Sequence, residues 1–171
     1  MLFKMIALVF MLISVTMLSA AKTVDQVDLN RYLGRWYQYA YFPTKFQPKD
    51  AALSAADYSL DKKGKIIVIN TSYKDKAGTQ ILKQVSGKAH AVDKSNSKLR
   101  VSFFWPFYGD YWIVKLDKNY QYSVVSDRKQ KYLWILSRSP RMDRDSYNEI
   151  LHFLEQGGWD IGKLVITGIQ D

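Results

Sequence analysis

The residues that could do chemistry are few and badly spaced for it. The two histidines stand apart, His90 in KAHAV and His152 in LHFLE, and neither has a second ligand at metal-binding spacing. With no cysteine, the chain has no thiol nucleophile, no thiolate metal site and no disulfide. Asp57, Asp61, Asp75, Asp93 and Asp117 fall at turns and strand ends, where short carboxylates accept from free backbone N–H groups more readily than they form an acid and base pair. No phosphate-cradling glycine loop and no nucleophile elbow occurs. The run Arg128-Lys129-Gln130-Lys131-Tyr132 interleaves cations with a ring, as a single-strand nucleic-acid surface does, but it reads as a solvated turn. The residues therefore imply no enzyme, no cofactor, no metal and no nucleic-acid partner.

What remains is apolar bulk. The 171 residues are 47% hydrophobic and 15% aromatic, enough for one core. Residues 1–21 read as a secretory signal: one lysine, an uncharged run from Met5 to Leu18, then small residues at Ser19-Ala20-Ala21. That run is shorter than the roughly 20 apolar residues a spanning helix needs. Residues 22–171 are then a single exported domain, periplasmic or secreted and soluble, with no cysteine to carry a lipid. Removing 1–21 takes away Lys4 and no acid, so the formal charge of +9 falls by one to +8. Such a balance favours transient contact with an anionic membrane surface.

Eight strand-like segments follow at even spacing: 34–42, 52–60, 65–73, 79–92, 98–104, 108–117, 120–127 and 132–138. Short turns containing Asp61 to Gly64, Asp75 to Gly78, Trp105-Pro106 and Lys118-Asn119 separate them. Sequential strands with tight connections form an antiparallel meander, and closing it removes the two free edges. The period then changes: Tyr147, Ile150, Leu151 and Leu154 mark one face of a helix, with Asp143 and Asp145 at its start and Gly157-Gly158 at its end. The fold expected is all-β, an eight-stranded antiparallel up-and-down β-barrel, with one C-terminal α-helix packed outside and a short final strand, 163–169, beside the first.

An eight-strand barrel either fills with side chains or holds one small ligand. Alternation along each strand, started from an inward Trp36, points Gln38, Ala40, Ser54, Ala56, Tyr58, Val68, Asn70, Val85, Gly87 and Ala89 inward. Several of these are small, so space is left over. The opposite wall is bulkier: Val101, Phe103, Tyr111, Ile113, Tyr132 and Trp134. An apolar wall with polar tips at Tyr58, Asn70 and Tyr111 suits a greasy molecule with one polar end. The expected ligand-binding set is thus Ala40, Ser54, Ala56, Tyr58, Val68, Asn70, Val85, Ala89, Val101, Phe103, Tyr111, Ile113, Tyr132 and Trp134. Tryptophan at Ala56 or Ala89 is expected to fill the space. Lys45, Lys49, Lys74 and Lys76, on loops at the open end, are candidates to attract a head group.

Three separated pieces resemble the lipocalin family: Gly34-Arg35-Trp36 its G-x-W motif, Asp117-Lys118-Asn119-Tyr120 its second motif, and Arg138 its third. The runs VSFFWPFYGDYWIV and YLWILSR are nearer the bacterial and apolipoprotein D-like members. The resemblance implies that Gly34, Trp36, Asp117, Tyr120 and Arg138 are structural, with Arg138 stacked on Trp36 at the closed end of the barrel. It also implies binding and carriage of a small hydrophobic ligand, here a fatty acid or lysophospholipid, in support of membrane lipid maintenance. A scavenger of a quinone, sterol or pigment, or a barrel enzyme acting on lipid through Tyr58 or Tyr111, are the alternatives. Monomer and homodimer both remain open, because Trp112 and other outward rings suit either a dimer face or packing under the helix.

Overall fold

A computed structural model describes residues 21–45 and 47–168. The signal segment lies outside the described residues, except for Ala21, and so does the last residue of the expected final strand. α1 (Leu29–Tyr32) leads into β1 (Gly34–Tyr41), β2 (Leu53–Leu60), β3 (Ile66–Tyr73), β4 (Ile81–Ala91), β5 (Lys98–Phe104), β6 (Phe107–Leu116), β7 (Tyr122–Ser126) and β8 (Leu133–Ser137). α2 (Arg144–Gln156) and the two-residue β9 (Val165–Ile166) complete the chain.

Each strand pairs antiparallel with the next, and β1 pairs with both β8 and β2, which closes an eight-stranded up-and-down barrel. β9 adds to β1 outside the closure, at Ala40 and Tyr41. The turn carboxylates do what their positions suggest. Asp61 accepts from the N–H groups of Lys63 and Lys65, Asp75 from Thr79 and Gln80, Asp93 from Ser95, and Asp117 from Asn119 and Gln121. These donors hold the Asp61 and Asp75 carboxyls below the usual range. Asp57 instead faces outward from β2 and pairs with Arg35 at 2.8 Å.

Two main cores result from the alternation, beside a small cluster of Leu53, Ala55 and Tyr73 on the outer face of β2 and β3. One fills the closed half of the barrel around Trp36, Tyr58, Val68, Leu99, Ile113 and Leu136. The other lies between the outer face of β1, β6, β7 and β8 and the helix, around Phe42, Val114, Val124, Ile135, Ile150 and Leu154. α2 begins where the Asp143 side chain accepts from the Ser146 N–H at 2.8 Å, and it ends at Gly157. Ile150 and Leu154 are fully buried, as their spacing requires. Glu149, on the polar side of that helix, reaches Lys115 of β6 at 2.7 Å. Trp112 packs against the outer core, with the Lys98 ammonium 5.1 Å from its ring centre.

Candidate functional site: the barrel cup

The closed end is built first by Arg138, which lies against Gly34 and Trp36 from far along the chain. Gly34 takes φ +93°, and a Cβ there would sit 3.3 Å from the Arg138 guanidinium, so only glycine lets the arginine lie across this end. That guanidinium stacks 3.8 Å from the centre of the Trp36 ring. It also donates to the carbonyls of Arg31 at 2.6 Å, Arg35 at 2.9 Å and Tyr120 at 3.3 Å. Trp36 is fully buried and its indole N–H donates to the Tyr32 carbonyl at 2.7 Å. Tyr120 receives the Asp28 N–H on its hydroxyl and the Arg31 guanidinium on its ring face, 4.1 Å away. Gly34, Trp36, Tyr120 and Arg138 thus meet at one end of the barrel, and Asp117 shapes the turn that presents Tyr120.

Above this seal lies a chain of hydroxyls. Tyr58 donates to Tyr111 at 2.9 Å, Tyr111 and Tyr32 share a bond of 2.8 Å, and Tyr32 meets Ser123 at 3.1 Å. Burial raises the Tyr32 phenol to about 12, and burial likewise pushes Tyr58 and Tyr111 well above the ordinary tyrosine value. At neutral pH all three are protonated donors held by one another. Tyr32 and Ser123 are not in the expected binding set; nothing in the pattern before β1 marks Tyr32, because its role depends on a short helix that folds back under the barrel.

The walls follow the alternation. Strand register aligns Trp36 with Ala56, Ala56 with Asn70, and Asn70 with Val85. It likewise aligns Tyr58 with Val68, Ala89 with Val101, and Val125 with Trp134. Ser54, Ala56, Tyr58, Val68, Asn70, Val85, Ala89, Val101, Phe103, Tyr111, Ile113 and Trp134 therefore stand on the inner face. Tyr132, just before β8, stacks on Trp134 with ring centres 6.0 Å apart.

Ala40 is the exception. The β1–β8 register slips between Gln38 and Ala40, so Ala40 lies opposite Ile135 in the outer core beneath the helix rather than in the cup. The β-bulge inserts one residue and reverses the faces beyond it. Tyr41, opposite Trp134, takes the inward position instead. A second adjustment concerns Gly87: a Cβ there would meet the Phe103 ring and the Ser102 carbonyl at 2.7 Å. The volume that its missing side chain leaves is occupied by Phe103.

Burial along the inner face is graded. Trp36, Ala56, Tyr58, Val68, Ala89, Leu99, Ile113, Val125 and Leu136 are buried and form the packed floor. Tyr41, Asn70, Ser72, Val85, Val101, Phe103 and Trp134 are only half-buried. A side chain on the inner face of a closed barrel can be exposed only to its lumen, so the upper half of the barrel is an open cup. Ala56 and Ala89 belong to the floor, and tryptophan at either would overpack it rather than plug the cup.

At the mouth, β5 and β6 meet in a tight hairpin whose tip is aromatic: Phe104 is 75% exposed, Trp105 83% and Phe107 77%. Lys45, Lys49 and Lys74 lie exposed on two other loops at the same end, while Lys76 lines a cleft on the outer wall with Arg35, Tyr37 and Pro140. A separate cleft outside the barrel, about 240 Å³, runs between Gln121, Ser139 and Ser146 near the start of α2. Its lining is mixed, with Tyr122 and Met142 among the polar groups.

Comparison with known proteins agrees with this architecture. A lipocalin-like domain family model matches residues 27–168. Temperature-induced lipocalin-1 of Arabidopsis thaliana is 34% identical over 88% of this chain and 83% of its own. The outer membrane lipoprotein Blc of Vibrio cholerae is 36% identical over 85% of each chain. Apolipoprotein D of Macaca fascicularis is 31% identical over 84% of this chain and 77% of its own. With the sealed end, the open cup and the outer helix all in place, the chain belongs to the lipocalin-like family.

Proposed function

We propose that the protein carries a single-chain lipid, a fatty acid or lysophospholipid, in its cup and exchanges it at an anionic membrane. The observation that carries this reading is the graded inner face: a packed apolar floor under half-exposed Val85, Val101, Phe103 and Trp134. Burying an acyl chain contributes roughly 0.8 kcal/mol per methylene, about 12 kcal/mol for some 16 carbons before the cost of ordering it. The aromatic hairpin tip supports the membrane contact, since Trp and Phe settle at the bilayer interface and the neighbouring lysines favour anionic lipid. The working place that fits is outside the cytoplasm, with a soluble protein acting between membranes as a monomer or homodimer.

The catalytic alternative would work through Tyr58 or Tyr111. Burial holds both of these phenols protonated well above neutrality. Neither is poised to take a proton. Val85→Trp tests the carrier reading, because position 85 is half-exposed in the cup and outside the packed floor. The variant is expected to keep its melting temperature within a few degrees and to lose uptake of a fluorescent fatty acid. Uptake equal to the wild type would place binding elsewhere.

A further inference from the structure

Among the inner-face positions of β1 to β8, one residue is charged. Val85, Gly87 and Ala89 of β4 line the cup, and the same alternation carried toward the mouth reaches Lys83. The register agrees: Lys83 lies opposite Ser72 of β3, Ser72 lies opposite Ser54 of β2, and the two serine hydroxyls are 3.2 Å apart. Asn70, the next inner-face residue below Ser72, is half-buried in the lumen. The other charged residues of these strands point outward, as Arg35 does to Asp57, Arg100 to Asp110 and Lys115 to Glu149. Among the described residues no carboxylate pairs with Lys83.

An unpaired cation on the inner face of an apolar cup selects for charge. A neutral hydrophobic molecule gains nothing from it, whereas an anionic oxygen brought to the mouth by a buried chain meets the ammonium beside hydroxyl and amide donors. Lys83 is itself exposed, at the rim, but it stands on the inner face opposite Ser72, whereas Lys45, Lys49, Lys74 and Lys76 sit on loops and act as a diffuse attraction. Resting on the carrier reading, we infer that Lys83, with Ser54, Ser72 and Asn70, is the anion-recognition subsite of the cup and that the ligand carries a carboxylate or phosphate at the mouth end of its chain. The apolar chain points to the floor, and the anionic end stays near water.

The test measures binding of three probes with chains of equal length: a fatty acid, its methyl ester and a lysophosphatidic acid. Wild-type protein is expected to prefer an anionic probe over the ester by roughly ten-fold, the size of one charge-assisted contact. Lys83→Met should erase that preference while leaving the ester unchanged, Lys83→Arg should keep it, and Lys62→Met, at the closed end, should have no effect. Loss for the fatty acid alone identifies a carboxylate ligand, and loss for the lysophosphatidic acid alone identifies a phosphate. If wild type and Lys83→Met bind all three probes alike, the subsite inference falls and the carrier reading stands. If the wild type takes up none of them, the carrier reading itself falls.

Discussion

At the scale of single residues, the energetics concentrate at the sealed end. Arg138 combines a cation–π stack, worth roughly 2 kcal/mol when desolvated, with three charge-assisted bonds to the carbonyls of Arg31, Arg35 and Tyr120. Arg138→Ala should cost about 3 kcal/mol, a fall of roughly 6–12 °C in Tm by differential scanning calorimetry. An unchanged melting curve would refute the seal. The buried tyrosines give a pH signature. Because the Tyr32 phenol is neutral in the fold up to about 12 but ionises near 10 when unfolded, its stabilisation is complete below pH 10 and is lost as pH rises from there to 12. Tyr32 alone accounts for a loss on the order of 3 kcal/mol across that window. Ultraviolet titration of the 12 tyrosines should show Tyr32, Tyr58 and Tyr111 ionising only as the fold is lost. Reversible ionisation of every tyrosine in the native state would contradict the buried hydroxyl chain.

At the scale of elements, most of the fold was legible because antiparallel hairpins are local. The turns announced themselves through aspartates and glycines, and the eight strands fall within a few residues of their expected bounds. The helix was legible from Tyr147, Ile150, Leu151 and Leu154. The misplacement of Ala40 has a definite cause: strict alternation cannot foresee an inserted residue, and the bulge after Gln38 inverts every assignment beyond it. Gly87 taught the opposite lesson about size, since a small residue marks free space only when no neighbour claims it. Gly87→Ala should therefore destabilise by about 1–3 kcal/mol through collision with Phe103 and the Ser102 carbonyl. A neutral effect on chemical denaturation would mean that β4 and β5 are more loosely paired than their register implies. Tyr32 was invisible in sequence because a four-residue helix has too little periodicity to read. Lys83 was readable in principle, since it continues the parity of Val85, Gly87 and Ala89, but a lysine at a strand end looks like an ordinary solvated charge.

For the whole molecule, one end of the barrel is closed by packing and the other presents a cup, exposed loop lysines and an aromatic tip. That polarity suits a carrier that meets a bilayer mouth-first, so that an acyl chain can pass between membrane and cup without crossing open water. Replacing Trp105 and Phe107 together by serine should leave the fold intact, as both are exposed. The double variant should reduce sedimentation with vesicles containing phosphatidylglycerol by about ten-fold, equivalent to roughly 1.4 kcal/mol. Equal sedimentation would remove the hairpin from the membrane contact. A loss of dimer in solution would instead assign the tip to self-association.

The central claim is that the cup holds one acyl chain, and native mass spectrometry of protein purified from its own export route, followed by extraction of what it carries, addresses this most directly. The expected result is one single-chain anionic lipid per barrel in the wild type and none in Val85→Trp. A barrel that is empty as isolated and takes up no lipid on incubation would contradict the account.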